Sequence, residues 1–220
     1  MLKYKCLVLD HDDTVVQSMK TMSYPFFLYG LNIFRPGATI SFEDYVSDCH
    51  HYGFVDLCRM RFGYTEEELS REHDMWMDYV LSHTPNPYPG IADLIHRQKA
   101  EGGLVCVVSH SRIDNILRDY HAHIGLTPDR IYGCELPEEQ RKPNPYPLQD
   151  IMVRYGLTPK DLLVVDDMKL SCKMAAPLGV KVAYAGWNGL NVPEVDTEMS
   201  AICDYSFSTV EALFSFLFED

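Results

Sequence analysis

The chain has 220 residues, 46% of them hydrophobic and 23% charged, and a formal net charge of −13. That length suffices for one domain with a sizeable core plus a smaller module, and the composition is that of an ordinary water-soluble chain. The negative charge argues against nucleic acid and against an anionic membrane surface as partners, so a phosphorylated ligand has to be drawn in by a local cationic site.

The first residues carry no signal-peptide pattern, and no apolar run approaches the length of a membrane span. The seven cysteines are Cys6, Cys49, Cys58, Cys106, Cys134, Cys172 and Cys203. They include no Cys-x-x-Cys pair and are odd in number. This argues against a disulfide framework or a zinc site and predicts a reducing, cytoplasmic setting. No partner protein is implied.

The first element is an apolar run over 6–9, with the length and content of a buried strand. It stops at Asp10-His11-Asp12-Asp13-Thr14. Three carboxylates within four residues repel one another, and no core would hold them. They are tolerable at the mouth of a parallel sheet, where a divalent cation or a cationic partner offsets the charge and where open α/β sheets place their ligands.

From 15 to 83 no strand-like run appears. Ser41-Phe-Glu-Asp44 reads as an N-cap. Thr65-Glu-Glu-Glu68 reads as a capping box opening a helix with Leu69, Trp76 and Val80 on one apolar face. The spacing predicts a bundle of about four helices. His50, His51, Arg59 and Arg61 within it read mostly as solvated helix faces, with contacts to the rest of a substrate as the alternative. Three prolines and a glycine in the linker 84–90 make a stiff hinge.

Strand–helix alternation then resumes. A helix over 91–101 ends at Gly102-Gly103, and a strand over 104–108 stops at Ser109-His110-Ser111. A helix over 112–124 follows, for which Ser111 reads as a local cap, with lining of a pocket beside His110 as the alternative. Thr127-Pro-Asp129 reads as a second cap with proline in the first turn, ahead of a short strand over 130–132. A proline-stiffened stretch over 141–147 contains Lys142. It leads into a helix over 148–155, a cap at Thr158–Asp161 and a strand over 162–165 that runs into Asp166-Asp167. A helix over 170–177, strands over 180–185 and 205–207 and a helix over 209–218 complete the chain. Buried, non-alternating apolar strands between helices argue for an α/β fold built on a doubly wound parallel sheet, with a small all-helical module inserted after the first strand. The expected division is a core of 1–14 and 88–220 and a helical domain of 15–87.

Three strands thus end in reactive residues: Asp10 and Asp12, Ser109, and Asp166 and Asp167. In a parallel sheet these ends share one edge, and the loop holding Lys142 can reach it. A nucleophilic carboxylate, a second acid, a hydroxyl, a fixed cation and carboxylates for a metal are the parts that phosphoryl transfer needs, because positioning and charge neutralisation do most of its work.

These segments resemble the haloacid dehalogenase (HAD) superfamily, phosphatase branch. Its Asp-x-Asp-x-Thr motif after an apolar strand is matched by Asp10 to Thr14, its strand ending in Ser or Thr by Val107-Val-Ser109, its Lys-Pro by Lys142-Pro143, and its last acidic strand end by Leu162 to Asp167. The resemblance implies a Rossmann-like core with a helical cap that closes over a small phosphorylated metabolite. It implies Mg²⁺ as cofactor, held by Asp10, the Asp12 carbonyl and Asp167 or Asp166. It also implies Asp10 as the nucleophile that becomes an aspartyl-phosphate, and Asp12 as acid and base with a raised pKa. Ser109 and Lys142 are then the phosphoryl-binding pair, and His11, Asp13 and His110 line the substrate.

The chain departs from the family pattern twice, with Asp13 where glycine is usual and Ser171 where a second acid is usual. The implied activity is hydrolysis of a small phosphomonoester such as a sugar phosphate, a phosphoglycolate-like acid or a nucleotide. The alternatives are a phosphomutase acting on a sugar phosphate and a catalytically inactive binding protein of the same fold.

Overall fold

A computed structural model describes residues 2–190 and 192–219. The chain divides into two compact units, one of residues 1–17, 86–189 and 197–220 and the other of residues 18–85 and 190–196.

The first unit is built on six parallel strands in the order β3-β2-β1-β4-β5-β6. They are β1 (Cys6–Leu9), β2 (Leu104–Val108), β3 (Arg130–Tyr132), β4 (Leu162–Asp166), β5 (Lys181–Ala185) and β6 (Tyr205–Phe207). Successive side chains on a strand point to opposite faces, and the core divides accordingly. Leu7, Leu9, Val105, Val107, Leu163 and Val165 face one side, where Ile91, Leu94, Ile116, Tyr120 and Leu213 meet them. Those residues come from α5 (Ile91–Ala100), α6 (Ile113–His123) and α10 (Val210–Phe218). Cys6, Val8, Cys106, Val108, Val164 and Val182 face the other side, against Leu148 and Ile151 of α7 (Tyr146–Tyr155) and Met174 of α8 (Leu170–Ala175). Burial on both faces is why these strands read as unbroken apolar runs rather than alternating ones.

β1 lies between β2 and β4, so strand order runs one way from β1 to β3 and the other way from β4 to β6. Such a reversal opens a crevice at the carboxyl ends of the strands, where α/β sheets bind ligands. Leu9 pairs with both Val107 and Val165, which sets the next residues of all three strands side by side.

The second unit holds four helices in residues 18–85. They are α1 (Tyr24–Phe34), α2 (Phe42–Tyr52), α3 (Phe54–Phe62) and α4 (Glu66–Leu81), preceded by a π-turn at Met19–Ser23. The Ser41 hydroxyl accepts from the Asp44 N–H, and Thr65 and Glu68 form a reciprocal capping box. Phe27 packs against Tyr45, Phe54 and Phe62 at ring separations of 5.0 to 5.9 Å. Arg59 pairs with Glu66 and Arg61 with Asp48 and Asp44, so both arginines are engaged within this unit.

Two local expectations fail. Thr127-Pro-Asp129 caps no helix; Asp129 instead accepts from the Val105 N–H at 2.8 Å and pairs with Lys99 at 2.7 Å, tying the strand edge. Pro193–Ile202 forms a helix, α9, where none was expected. Residues 190–196 group with the helical unit, although they follow β5 in the chain.

Candidate active site

At the tip of β1 the backbone stays tied to β4 through the Asp10 N–H to the Val165 carbonyl, 2.9 Å. The chain then turns within a few residues. The Val15 and Val16 N–H groups return to the His11 carbonyl at 2.9 and 3.1 Å, and the Asp13 N–H to the Val16 carbonyl at 2.7 Å. The turn requires a left-handed residue, and Asp13 has φ of 53°. Asp is one of the few non-glycine residues that visit this region readily, because its short polar side chain bonds locally. The Tyr88 hydroxyl donates to Asp13 Oδ1 at 3.1 Å and Trp187 Nε1 to the Thr14 carbonyl at 3.1 Å. Both clamp the loop. Among the described residues, the backbone N–H groups of His11 and Asp12 have no protein acceptor, which leaves a pair of donors at the sheet edge.

Lys142 Nζ donates to Asp10 Oδ1 at 2.6 Å and to Asp166 Oδ2 at 2.8 Å. Oxygens of Asp10, Asp166 and Asp167 all come within 4.8 Å of one another, and all three residues are buried. Burial raises the Asp10 carboxyl to about 7, with Lys142 pulling it down and the charges of Asp166 and Asp12 adding to the rise. Burial, together with Asp166, Asp13 and Asp10, pushes Asp167 well above the usual carboxylate range. Burial also works against the Lys142 ammonium, but Asp10 and Asp166 outweigh it and hold Lys142 above its ordinary value.

The two neighbouring acids at the end of β4 are used differently. Asp166 Oδ1 accepts from the Met168 N–H at 2.7 Å, while Oδ2 accepts from Lys142 and from the Ser171 hydroxyl. Asp167, 3% exposed, has no hydrogen-bond partner among the described residues. A buried carboxylate without a donor is costly unless a cation meets it. Three carboxylates facing one ammonium, all offering hard oxygen, suit a divalent oxygen-seeking ion.

Asp12 stands outside this group of three. Its Oδ2 accepts from the Ser111 hydroxyl at 2.5 Å, and the Ser111 N–H donates to Ser109 Oγ at 3.0 Å. Ser111 therefore connects Asp12 with Ser109 and does not cap α6, whose N-cap is Arg112 with no side-chain bond. Ser109 itself is held by its N–H to the Tyr132 carbonyl at 2.9 Å. The His110 ring bonds the Lys142 backbone carbonyl at 2.9 Å, so it fixes the lysine loop. The His11 side chain turns inward to Asp119 at 3.0 Å and stacks near Tyr120, which leaves its backbone as the part facing the edge. Ser111, Tyr88, Trp187 and Asp119 carried no sequence signal for these contacts, because each depends on a partner 75 or more positions away.

No curated protein matches the chain in sequence. Among solved structures, it is similar to a "predicted phosphoglycolate phosphatase" from Haemophilus somnus 129pt, with a TM-score of 0.73, 20% identity and coverage of 98% of this chain and 99% of that one. It is also similar to a HAD-superfamily hydrolase, subfamily IA, from Geobacter sulfurreducens PCA, with a TM-score of 0.69, 17% identity and coverage of 98% and 97%. A third is CbbY from Rhodobacter sphaeroides in complex with phosphate, with a TM-score of 0.67, 16% identity and 95% of both chains covered. The profile described as haloacid dehalogenase-like hydrolase matches residues 7–185, a span from the first strand through the fifth that includes every acid, the serine and the lysine gathered at the sheet edge. The chain belongs to the haloacid dehalogenase-like hydrolase family.

Proposed function

We propose that this hydrolase is a Mg²⁺-dependent phosphatase that cleaves a small phosphomonoester through an aspartyl-phosphate on Asp10. The observation that carries the reading is the buried group of Asp10, Asp166 and Asp167 around the single ammonium of Lys142. Its excess negative charge fits a hard divalent cation, and its lysine gives a phosphoryl group a counter-charge that the net charge of the chain denies it.

An Asp10 carboxylate oxygen attacks phosphorus, and the bond to the alcohol oxygen breaks. Asp12 gives its proton to that leaving oxygen. It then takes a proton from the water that attacks the phosphorus of the acyl phosphate, which breaks the bond to Asp10 and frees inorganic phosphate. Ser111 holds Asp12 in place for both proton transfers. Ser109, Lys142 and the free N–H groups of His11 and Asp12 bind the phosphoryl oxygens. Asp166, whose oxygens already accept from Met168, Ser171 and Lys142, fixes Lys142. Asp10, Asp167 and the Asp12 carbonyl are the residues that would hold Mg²⁺. When bound, the ion offsets charge on the phosphoryl oxygens. Similarity to a structure described as a predicted phosphoglycolate phosphatase and to a protein crystallised with phosphate supports a small phosphorylated metabolite as substrate.

A panel of phosphomonoesters covering aryl phosphate, 2-phosphoglycolate, hexose phosphates and nucleotides, assayed with Mg²⁺ or with chelator, tests the reading. Phosphate release is expected with Mg²⁺ only. Asp10→Asn should melt as a folded protein yet lose about a thousandfold or more in kcat. Undiminished turnover in Asp10→Asn removes Asp10 as nucleophile.

A further inference from the structure

Cys172 and Cys203 lie sulfur to sulfur at 3.3 Å, joined by a hydrogen bond. Cys172 is in α8, directly after Ser171, and Cys203 follows α9 and precedes β6. Both thiols are free, and both residues are half-buried. The other close pair differs in access. Cys6 and Cys106 are 3.8 Å apart but fully buried on paired strands, where the ladder sets Cys106 opposite Val8 rather than Cys6. A disulfide needs a sulfur separation of about 2.05 Å, so the partly exposed pair is about 1 Å short of bonding. Its two thiols sit on a short helix and a turn, not on two locked strands. Hydrogen bonding from Cys203 holds the Cys172 thiol below its usual range and pushes Cys203 above its own, which marks Cys172 as the thiolate that attacks first.

We propose that Cys172 and Cys203 form a dithiol that a peroxide converts to a disulfide, and that this cross-link slows the enzyme. The Cys172 thiolate attacks one peroxide oxygen. The O–O bond breaks, and the departing hydroxide takes up a proton as water, leaving a sulfenic acid. The Cys203 sulfur then attacks the Cys172 sulfur. The S–O bond breaks, and the hydroxyl leaves with the Cys203 proton as a second water. Two thiols are oxidised by two electrons in all, and one peroxide is reduced to two waters.

The link to catalysis runs through the neighbouring residue. Ser171 donates to Asp166, Asp166 holds Lys142 at 2.8 Å, and Lys142 holds Asp10 at 2.6 Å. Drawing Cys172 toward Cys203 pulls the backbone of Ser171 and loosens that chain of contacts. A partner that holds a ligating carboxylate, as Lys142 holds Asp10, is worth about ten- to a hundredfold in metal affinity or activity.

The test uses the full chain, treated with hydrogen peroxide and then split between peptide mapping and assay with Mg²⁺ and a turned-over phosphomonoester. We expect a protein lighter by two hydrogens, a Cys172–Cys203 linked peptide, and a kcat about tenfold lower that dithiothreitol restores. Untreated Cys203→Ser should keep the wild-type rate, form no linked peptide and escape the reversible loss. Treatment that yields no linked peptide overturns the dithiol. A linked peptide with unchanged kcat, or an equal loss in Cys203→Ser, overturns its coupling to catalysis. The mass readout needs no substrate, so failure of the phosphatase reading and failure of the dithiol are told apart.

Discussion

At Asp13 a backbone demand and a side-chain contact coincide. With φ of 53° the position suits glycine best, yet the aspartate accepts from Tyr88 and lies 2% exposed. Replacing it with valine forces a β-branched residue into left-handed backbone, whereas glycine adopts that backbone freely and gives up the Tyr88 contact. Asp13→Val should therefore be less stable than Asp13→Gly by about 1–2 kcal/mol; equal melting temperatures would show that the turn does not hold the residue to that conformation. The acids and serine of the site were legible because each ends or follows an apolar run, and the lysine because it sits in a proline-stiffened loop, both local patterns. The inward turn of His11 to Asp119 and the bond from Ser111 to Asp12 were not. They join residues 108 and 99 positions apart, and nothing near either partner in sequence marks the other.

Among the elements, α4 shows both what periodicity reveals and what it hides. Thr65 and Glu68 announce its start, and Leu69, Trp76 and Val80 trace its inward side. Glu72 lies on that same side, three after Leu69 and four before Trp76, and is only 5% exposed. A carboxylate there reads as a solvated position, but the fold buries it against Gly30 and raises it from an ordinary 4.5 to about 7 by burial. Below pH 4.5 both folded and unfolded chains hold the proton, so Glu72 carries no penalty. As pH rises toward 7 the unfolded chain releases it first, and the folded state loses stability, by about 3 kcal/mol once both are ionised. In urea titrations from pH 5 to 8, wild type should weaken with rising pH, and Glu72→Gln should lack that part of the slope and be the more stable at pH 8. Parallel profiles would contradict the burial penalty. α9 was missed for a different reason. Pro193 and the residues before it resemble a loop, and proline at a first turn is ambiguous until the rest of the helix is seen.

For the molecule as a whole, the sheet order decides the chemistry. Parallel strands with a reversal beside β1 bring Asp10, Asp166 and Asp167 together from opposite ends of the sequence. The alternation of strands and helices was enough to foresee that edge, but the division of labour between Asp166 and Asp167 needed the donors of Lys142, Ser171 and Met168. No helix among the described residues is long and apolar enough to cross a membrane.

If Asp167 is the carboxylate awaiting a cation, Mg²⁺ should raise the melting temperature of wild type, by an amount equal to about 2.7 kcal/mol at a hundredfold excess over Kd. Asp167→Asn should melt higher than metal-free wild type, since repulsion is relieved, and should not respond to Mg²⁺. An undiminished Mg²⁺ shift in that variant would move the cation elsewhere.

The most direct test of the account is rapid quenching of the enzyme during turnover of a phosphomonoester, followed by mapping of the phosphorylated peptide. The account predicts a transient phosphoryl group on the peptide that contains Asp10, absent in Asp10→Asn. Product forming at full rate with no label on that peptide at any time would contradict it.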